Sequence, residues 1–190
     1  MIFSPLPRFR FYYSPKGYIA CLKFFVKSIF IKTDYVQILE KRISEFTSTK
    51  YAIAVPQARY GIYLAIKNII KPNQEVILSP YNIYDVVNMV ICAGGKPVFA
   101  DVDIATGNVS TESINKLISE STGAVIATHL HGLASDINEI KELCNSKNIP
   151  LIEDAAQALG SKVNEKRSGS IGDVGIYSFG RAKNVNSFYG

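Results

Sequence analysis

The segment Ile152-Glu153-Asp154-Ala155-Ala156-Gln157-Ala158 sets a carboxylate at the end of an apolar run, with an amide three positions further on. A carboxylate at a buried strand end sits low in a cleft, where it can pair with a cation; the same pattern also suits a helix N-cap. A second segment, Gly175-Ile176-Tyr177-Ser178-Phe179-Gly180-Arg181-Ala182-Lys183-Asn184, runs a strand into Ser178 and then, five residues later, Lys183. Burial disfavours an ammonium, so a partly desolvated lysine there is a nucleophile for an aldehyde, while an ordinary surface lysine would read alike. A third, Ala54-Val55-Pro56-Gln57-Ala58-Arg59-Tyr60-Gly61-Ile62, turns a strand into a helix start at Arg59 and Tyr60. Free N–H groups and the helix dipole favour an anion at such a turn, and Arg59 adds a guanidinium with bidentate geometry for phosphate. It lacks the Gly-rich run and Lys-Ser/Thr pair of a Walker loop. An anion pocket, a strand-end Asp and a strand-end Lys together are what pyridoxal phosphate needs: a phosphate anchor, a Schiff-base amine, and a carboxylate that keeps the pyridine nitrogen protonated.

Two other groups invite a metal reading. His129 and His131 stand two apart at a strand end and share a face, yet no third ligand has an obvious source, and a structural or cleft-lining role is the better reading. Asp101-Val102-Asp103 is acidic enough to suggest magnesium. No metal is assigned.

The elements that position these residues follow from periodicity. Short apolar or β-branched runs recur at Tyr51–Val55, Glu75–Ser79, Pro97–Val102, Ala124–His129, Pro150–Ala155 and Gly175–Gly180, most of them flanked by Gly, Pro or Asn. Between them lie helical spacings: Tyr60, Tyr63 and Leu64; Val86, Val87, Val90 and Ile91; Ile114, Leu117 and Ile118 after a Ser110–Ser113 cap; and Ile137, Ile140, Leu143 and Cys144 with Asp136 near the start. This alternation predicts an α/β fold with a mainly parallel sheet flanked by helices, whose ligands bind at the carboxyl ends of the strands. Val36, Leu39, Ile43 and Phe46 predict an amphipathic helix that leads into the first strand. Met1 to Lys16, with three Pro and many aromatics, reads as an extended arm, lying across a partner subunit or across its own body.

Of 190 residues, 47% are hydrophobic and 19% charged, which excludes a disordered chain. Residues 1–50 hold nine Lys/Arg against three Asp/Glu, and the rest twelve against thirteen. The basic excess thus belongs to the arm, and nucleic acid is not the expected partner; a membrane surface, an acidic partner or nothing at all could meet it. The greasiest stretch, Gly17 to Ile31, is interrupted by Lys23 and Lys27 and lacks a cleavage pattern, so neither a membrane span nor a signal peptide is expected. Three widely spaced cysteines (Cys21, Cys92, Cys144) suit a reducing cytoplasm.

From about residue 36 to 190 the chain resembles the DegT/DnrJ/StrS family of pyridoxal-phosphate sugar aminotransferases, of the aspartate-aminotransferase (type I) fold. The resemblance rests on collinear pieces: Tyr51–Val55, Glu75–Ile77, Ala93–Phe99, Asp101–Asp103, Thr128–Gly132, Ile152–Gln157, Gly172-Asp173, and Tyr177–Phe179 with Lys183. It implies residue roles. Lys183 matches the Schiff-base lysine and proton shuttle, Asp154 the pyridinium partner, Gln157 an amide near the ring hydroxyl or face, and Ser178 a phosphate ligand. Arg59 and the Tyr60 backbone fall where the family often has Thr-Ala or Ser-Ala on the phosphate. An ungapped match puts Ile83, between Tyr81 and Tyr84, where an aromatic usually stacks on the cofactor; either Tyr could serve after a small shift. Gly180 replaces a frequent His, and Arg181 could meet a substrate phosphate or carboxylate. The matching Asp101–Asp103 segment has no metal role in the family.

The resemblance further implies amino transfer from an amino acid, glutamate being favoured, to a nucleotide-linked keto-sugar in polysaccharide or glycoside biosynthesis. It implies a cytoplasmic homodimer with pyridoxal 5'-phosphate. Two units are expected, a basic aromatic arm over 1–35 and the transferase large domain over 36–190. That domain is expected to be incomplete before its last internal strand and the small C-terminal domain, which would leave this chain poorly folded and inactive. The rival is a non-catalytic paralogue or fragment that keeps the fold as a binding module. A lyase or dehydratase on this scaffold is a further alternative, though Lys183 argues against the dehydratase branch that carries His there.

Overall fold

The computed structural model of this chain describes residues 15–30 and 34–180, together with residues 183 and 185. Two helices come first, α1 (Pro15–Phe30) and α2 (Tyr35–Thr47). The alternating body follows: α3 (Ala58–Ile69), β1 (Glu75–Leu78), α4 (Tyr84–Cys92), β2 (Lys96–Phe99), α5 (Thr111–Leu117), β3 (Thr122–Thr128), α6 (Ile137–Ser146) and β4 (Leu151–Asp154). A small hairpin, β5 (Lys162–Val163) with β6 (Lys166–Arg167), precedes β7 (Val174–Ile176). Five strands form one all-parallel sheet in the order β2-β1-β3-β4-β7.

Helices cover both faces of this sheet, and strand alternation sorts the side chains between them. Val76, Leu78, Ala124, Ile126, Ile152 and Ile176 pack with Ile62 and Ile66 of α3 and Val86 and Val90 of α4. Ile77, Val125, Ala127 and Leu151 pack on the opposite face with Ile114 of α5 and Ile137, Ile140 and Cys144 of α6. Two caps follow the expected chemistry: the Ser110 hydroxyl accepts from the Ser113 amide, and the Asp34 carboxylate from that of Gln37. Asp136 stands at the N-cap position of α6, but its side chain makes no cap hydrogen bond.

Three local expectations are corrected. Tyr51–Val55 is not a strand: its residues pair with no neighbour among the described residues, and Ile53 is 80% exposed. A β-prone run without an adjacent strand has nowhere to place its N–H and C=O groups, and here the Glu40 carboxylate takes the Ala54 amide instead at 2.7 Å. The last expected strand, Gly175–Gly180, is shorter and ends at Ile176. Within the segment assigned to the arm, residues 15–30 are helical; the arm's first fourteen residues lie outside the described set. Phe24 of α1 meets Tyr35 of α2 edge-on at 5.7 Å, while Leu22, Phe25 and Ile29 are exposed. Among the described residues no helix is long and apolar enough to cross a membrane.

Candidate functional site

In a parallel sheet every strand delivers its C-terminal loop to the same edge, so the segments after Leu78, Thr128, Asp154 and Ile176 converge. Asp154 ends β4 directly opposite Ile176 of β7, and the Ala155 amide donates to the Ile176 carbonyl at 2.9 Å. Its strand parity, shared with Ile152, turns it to the α3/α4 face. The carboxylate is 5% exposed. One oxygen accepts the Ala156 amide at 3.1 Å, and among the described residues the other accepts no hydrogen bond. Burial pushes this carboxyl above its ordinary range, opposed by the Ala156 amide and by the positive charge of Lys183. That opposition places the Lys183 ammonium within electrostatic reach of Asp154. The lysine itself is half-buried, and its own amide closes a turn onto the Gly180 carbonyl at 3.0 Å.

The first turn of α3 approaches the same place. Gly61 lies against Ile176, and a Cβ there would stand 3.5 Å from the Ile176 side chain and 3.3 Å from Val55. Ser178 follows two residues after Ile176, with its hydroxyl accepting the Gly180 amide at 3.4 Å. No side chain caps α3 at Gln57, so the leading amides, those of Arg59 and Tyr60 included, are left for an anion. Arg59 itself pairs with Asp85 in the first turn of α4 at 2.7 Å, its guanidinium half exposed. Tyr60 is exposed and stacks on Tyr63.

The remaining candidates line the same edge. Gln157 accepts the His131 amide through its side-chain oxygen at 3.2 Å. Ile83 is 60% exposed and stands at the N-cap position of α4, and its amide donates to the Asn82 side chain. Asn82 in turn donates to the Thr128 hydroxyl at 2.8 Å, which ties this loop to the end of β3. Tyr81, exposed like Ile83, lies 6.4 Å from the His131 ring. Arg181 lies outside the described residues. The structure thus brings Asp154, Lys183, Ser178 and the start of α3 to one edge of the sheet, with Gln157 and the Ile83 loop beside them.

The two histidines separate. His129 is fully buried between Glu153 and Ser135, whereas His131 is exposed at the sheet edge. No cluster that could hold a metal occurs among the described residues. Sequence reasoning passed over Asp85, Asn82 and Glu153. Asp85 carried a signal, an acid in the first turn of a helix, but its partner lies 26 positions earlier in the chain.

The donor set fits a phosphorylated pyridine aldehyde. An uncapped helix start suits the phosphate, a buried carboxylate with an oxygen unclaimed among the described residues suits a ring N–H, and a lysine within its electrostatic reach suits the aldehyde carbon.

The model of the DegT/DnrJ/EryC1/StrS aminotransferase family matches residues 20–190. The chain belongs to this family. Among its relatives is the GDP-perosamine synthase of Vibrio cholerae, 34% identical over 154 residues, or 80% of this chain and 42% of that one. The solved aminotransferase from Psychrobacter cryohalolentis superposes with a TM-score of 0.86 at 29% identity, over 99% of this chain and 47% of the other. The E. coli GDP-4-keto-6-deoxy-D-mannose-3-dehydratase with bound hydrated PLP shares the fold, with a TM-score of 0.88 at 23% identity over 96% and 49% of the two chains. The chain spans less than half the length of these relatives. The sequence-based expectations of a mainly parallel α/β sheet and of this family both stand.

Proposed function

We propose that this chain holds pyridoxal phosphate and serves amino transfer from an amino acid, glutamate being favoured, to a nucleotide-linked keto-sugar. The observation that carries this reading is Asp154, buried at the carboxyl end of β4 with one oxygen unclaimed among the described residues, within electrostatic reach of Lys183. The name of the Vibrio cholerae relative, a GDP-perosamine synthase, supports an amino sugar as product. When bound, the cofactor supplies an aldehyde carbon that exchanges amines and a ring that accepts electrons.

The chain's residues divide the remaining work. Asp154 accepts the ring N–H and keeps its positive charge in place. Lys183 carries the amine that engages the aldehyde carbon, and it takes and returns the proton at the reacting carbon. The amides of Arg59 and Tyr60, the Ser178 hydroxyl and the Arg59 guanidinium bind phosphate. Gln157 stands by the ring hydroxyl, and Ile83, flanked by Tyr81 and Tyr84, covers the ring. The site works as part of a homodimer, in a cytoplasm that keeps the cysteines reduced.

The rival, a paralogue that keeps the fold without the chemistry, draws on the Arg59–Asp85 ion pair, which occupies the guanidinium expected on phosphate. The test uses protein expressed from its native gene and mixed with pyridoxal phosphate. Borohydride trapping followed by mass spectrometry should find the cofactor on Lys183, and Lys183→Ala should abolish both the trapped mass and the visible absorbance. Release of a keto acid with amination of a keto-sugar then establishes transfer. Wild-type protein that takes up no cofactor would refute the reading in favour of the rival.

A further inference from the structure

Glu153 precedes Asp154 on β4 and therefore faces the other side of the sheet, among the residues packed by α5 and α6. It is fully buried, yet it is a carboxylate. Its oxygens accept four N–H groups: the amides of Ile171 (2.6 Å) and Gly172 on one, and the amide of Gly169 (2.8 Å) with His129 Nε2 (2.9 Å) on the other. The proton on that imidazole nitrogen is set by its surroundings. Nδ1 accepts the Ser135 amide at 3.1 Å, so the ring proton sits on Nε2 and points at Glu153. Burial raises this carboxyl, but the hydrogen bonds from His129, Gly172 and Gly169 outweigh it and hold it below the usual range. A buried anion satisfied this fully fastens whatever carries its donors.

What it fastens is the loop that leads into β7. Three glycines record how closely that loop is pressed down. A Cβ on Gly169 would collide with the Tyr177 hydroxyl, one on Gly172 would meet the Leu151 carbonyl and the Glu153 side chain, and one on Gly175 would strike the Gly169 backbone. The Tyr177 hydroxyl closes the unit by donating to the Ser168 carbonyl at 2.9 Å. Ser178 is the next residue after Tyr177, and Lys183 follows five positions later in the sequence. The strand that holds Asp154 on one face thus holds, on its other face, the segment that delivers the lysine.

We propose that Glu153 and His129 are positioning residues for Lys183: by clamping residues 169–172 to β4 they set where the lysine amine stands relative to Asp154. The inference rests on the cofactor reading above, and its test separates the two. Native-gene protein and Glu153→Gln are compared in two measurements. One is the rate at which Lys183 captures pyridoxal phosphate. The other is the affinity for pyridoxine phosphate, whose alcohol cannot react with the amine. Gln offers one acceptor oxygen and turns an NH2 toward amide donors, so capture should slow at least tenfold while pyridoxine phosphate affinity changes less than threefold. If Glu153→Gln does not fold, the same split is read from His129→Leu, and His129→Gln, which can both donate and accept, should restore most of the capture rate. Equal losses in both measurements, or no loss in either, would overturn the positioning role. Failure of the wild type to capture the cofactor would instead overturn the cofactor reading.

Discussion

Asp154→Asn is expected to stabilise the cofactor-free protein while disabling it. Asp154 is 5% exposed, accepts a single amide among the described residues, and has the charge of Lys183 to offset its burial. Burying an ion costs several kcal/mol before such compensation. Asn keeps the shape and the Ala156 hydrogen bond but removes the charge, so a net gain of about 1 kcal/mol is expected once the lost attraction to Lys183 is subtracted. For a domain of this size that raises Tm by about 2–4 °C. The sign of the pH dependence follows from the raised carboxyl: the folded state holds this proton more tightly than the unfolded one. The destabilisation is full above the folded pKa and shrinks as the pH falls through it toward the ordinary value of 3.8. Melts of cofactor-free wild type and Asp154→Asn from neutral pH down to about 4.5 should therefore converge. Adding pyridoxal phosphate should reverse their order at neutral pH, because only the wild type offers the ring nitrogen an anion. An Asn variant that melts below the wild type without cofactor, or a gap that widens on acidification, would refute the assignment of Asp154 as an uncompensated buried acid.

Three further outcomes concern the anion site and the clamp. Arg59→Ala should weaken cofactor binding about tenfold, the equivalent of about 1.4 kcal/mol, and should lower Tm as well, because it leaves the Asp85 carboxylate, 18% exposed, without its partner. Asp85→Asn should strengthen cofactor binding by releasing the guanidinium; equilibrium dialysis with pyridoxal phosphate reads both affinities. Gly175→Ala should cost about 3 kcal/mol or more in urea unfolding, since its Cβ has to displace backbone rather than a flexible side chain.

The parts of this architecture that show through in the sequence depend on local pattern. Asp154 was readable because three apolar or small neighbours frame it and strand ends point to the cleft, and the helices α3 to α6 followed from spacing and from Ser110. What stayed hidden depends on partners distant along the chain. Glu153 read as the polar companion of Asp154, and only the approach of residues 169–172, sixteen to nineteen positions away, shows that it is sealed. A hint was available: a strand residue with the parity of Leu151, followed by Gly169, Gly172 and Gly175. Tyr51–Val55 failed for the opposite reason, since its composition suits a strand but no neighbour pairs with it among the described residues. Helix α1 escaped because its lysines, Lys16, Lys23 and Lys27, return to a single stripe while nearly everything else is apolar, a pattern judged as a question of membranes rather than of helical period.

Two acids with opposite needs are separated by one peptide bond. On the proposed reading, Asp154 has to stay available to something that arrives and leaves, while Glu153 has to be permanently sealed. The pleat of β4 serves as the wall between a working chamber and a foundation. An insertion or deletion of a single residue there would exchange the two, so the length of the strand up to Asp154 is as constrained as the identity of either side chain. Change in this strand is therefore confined to substitution.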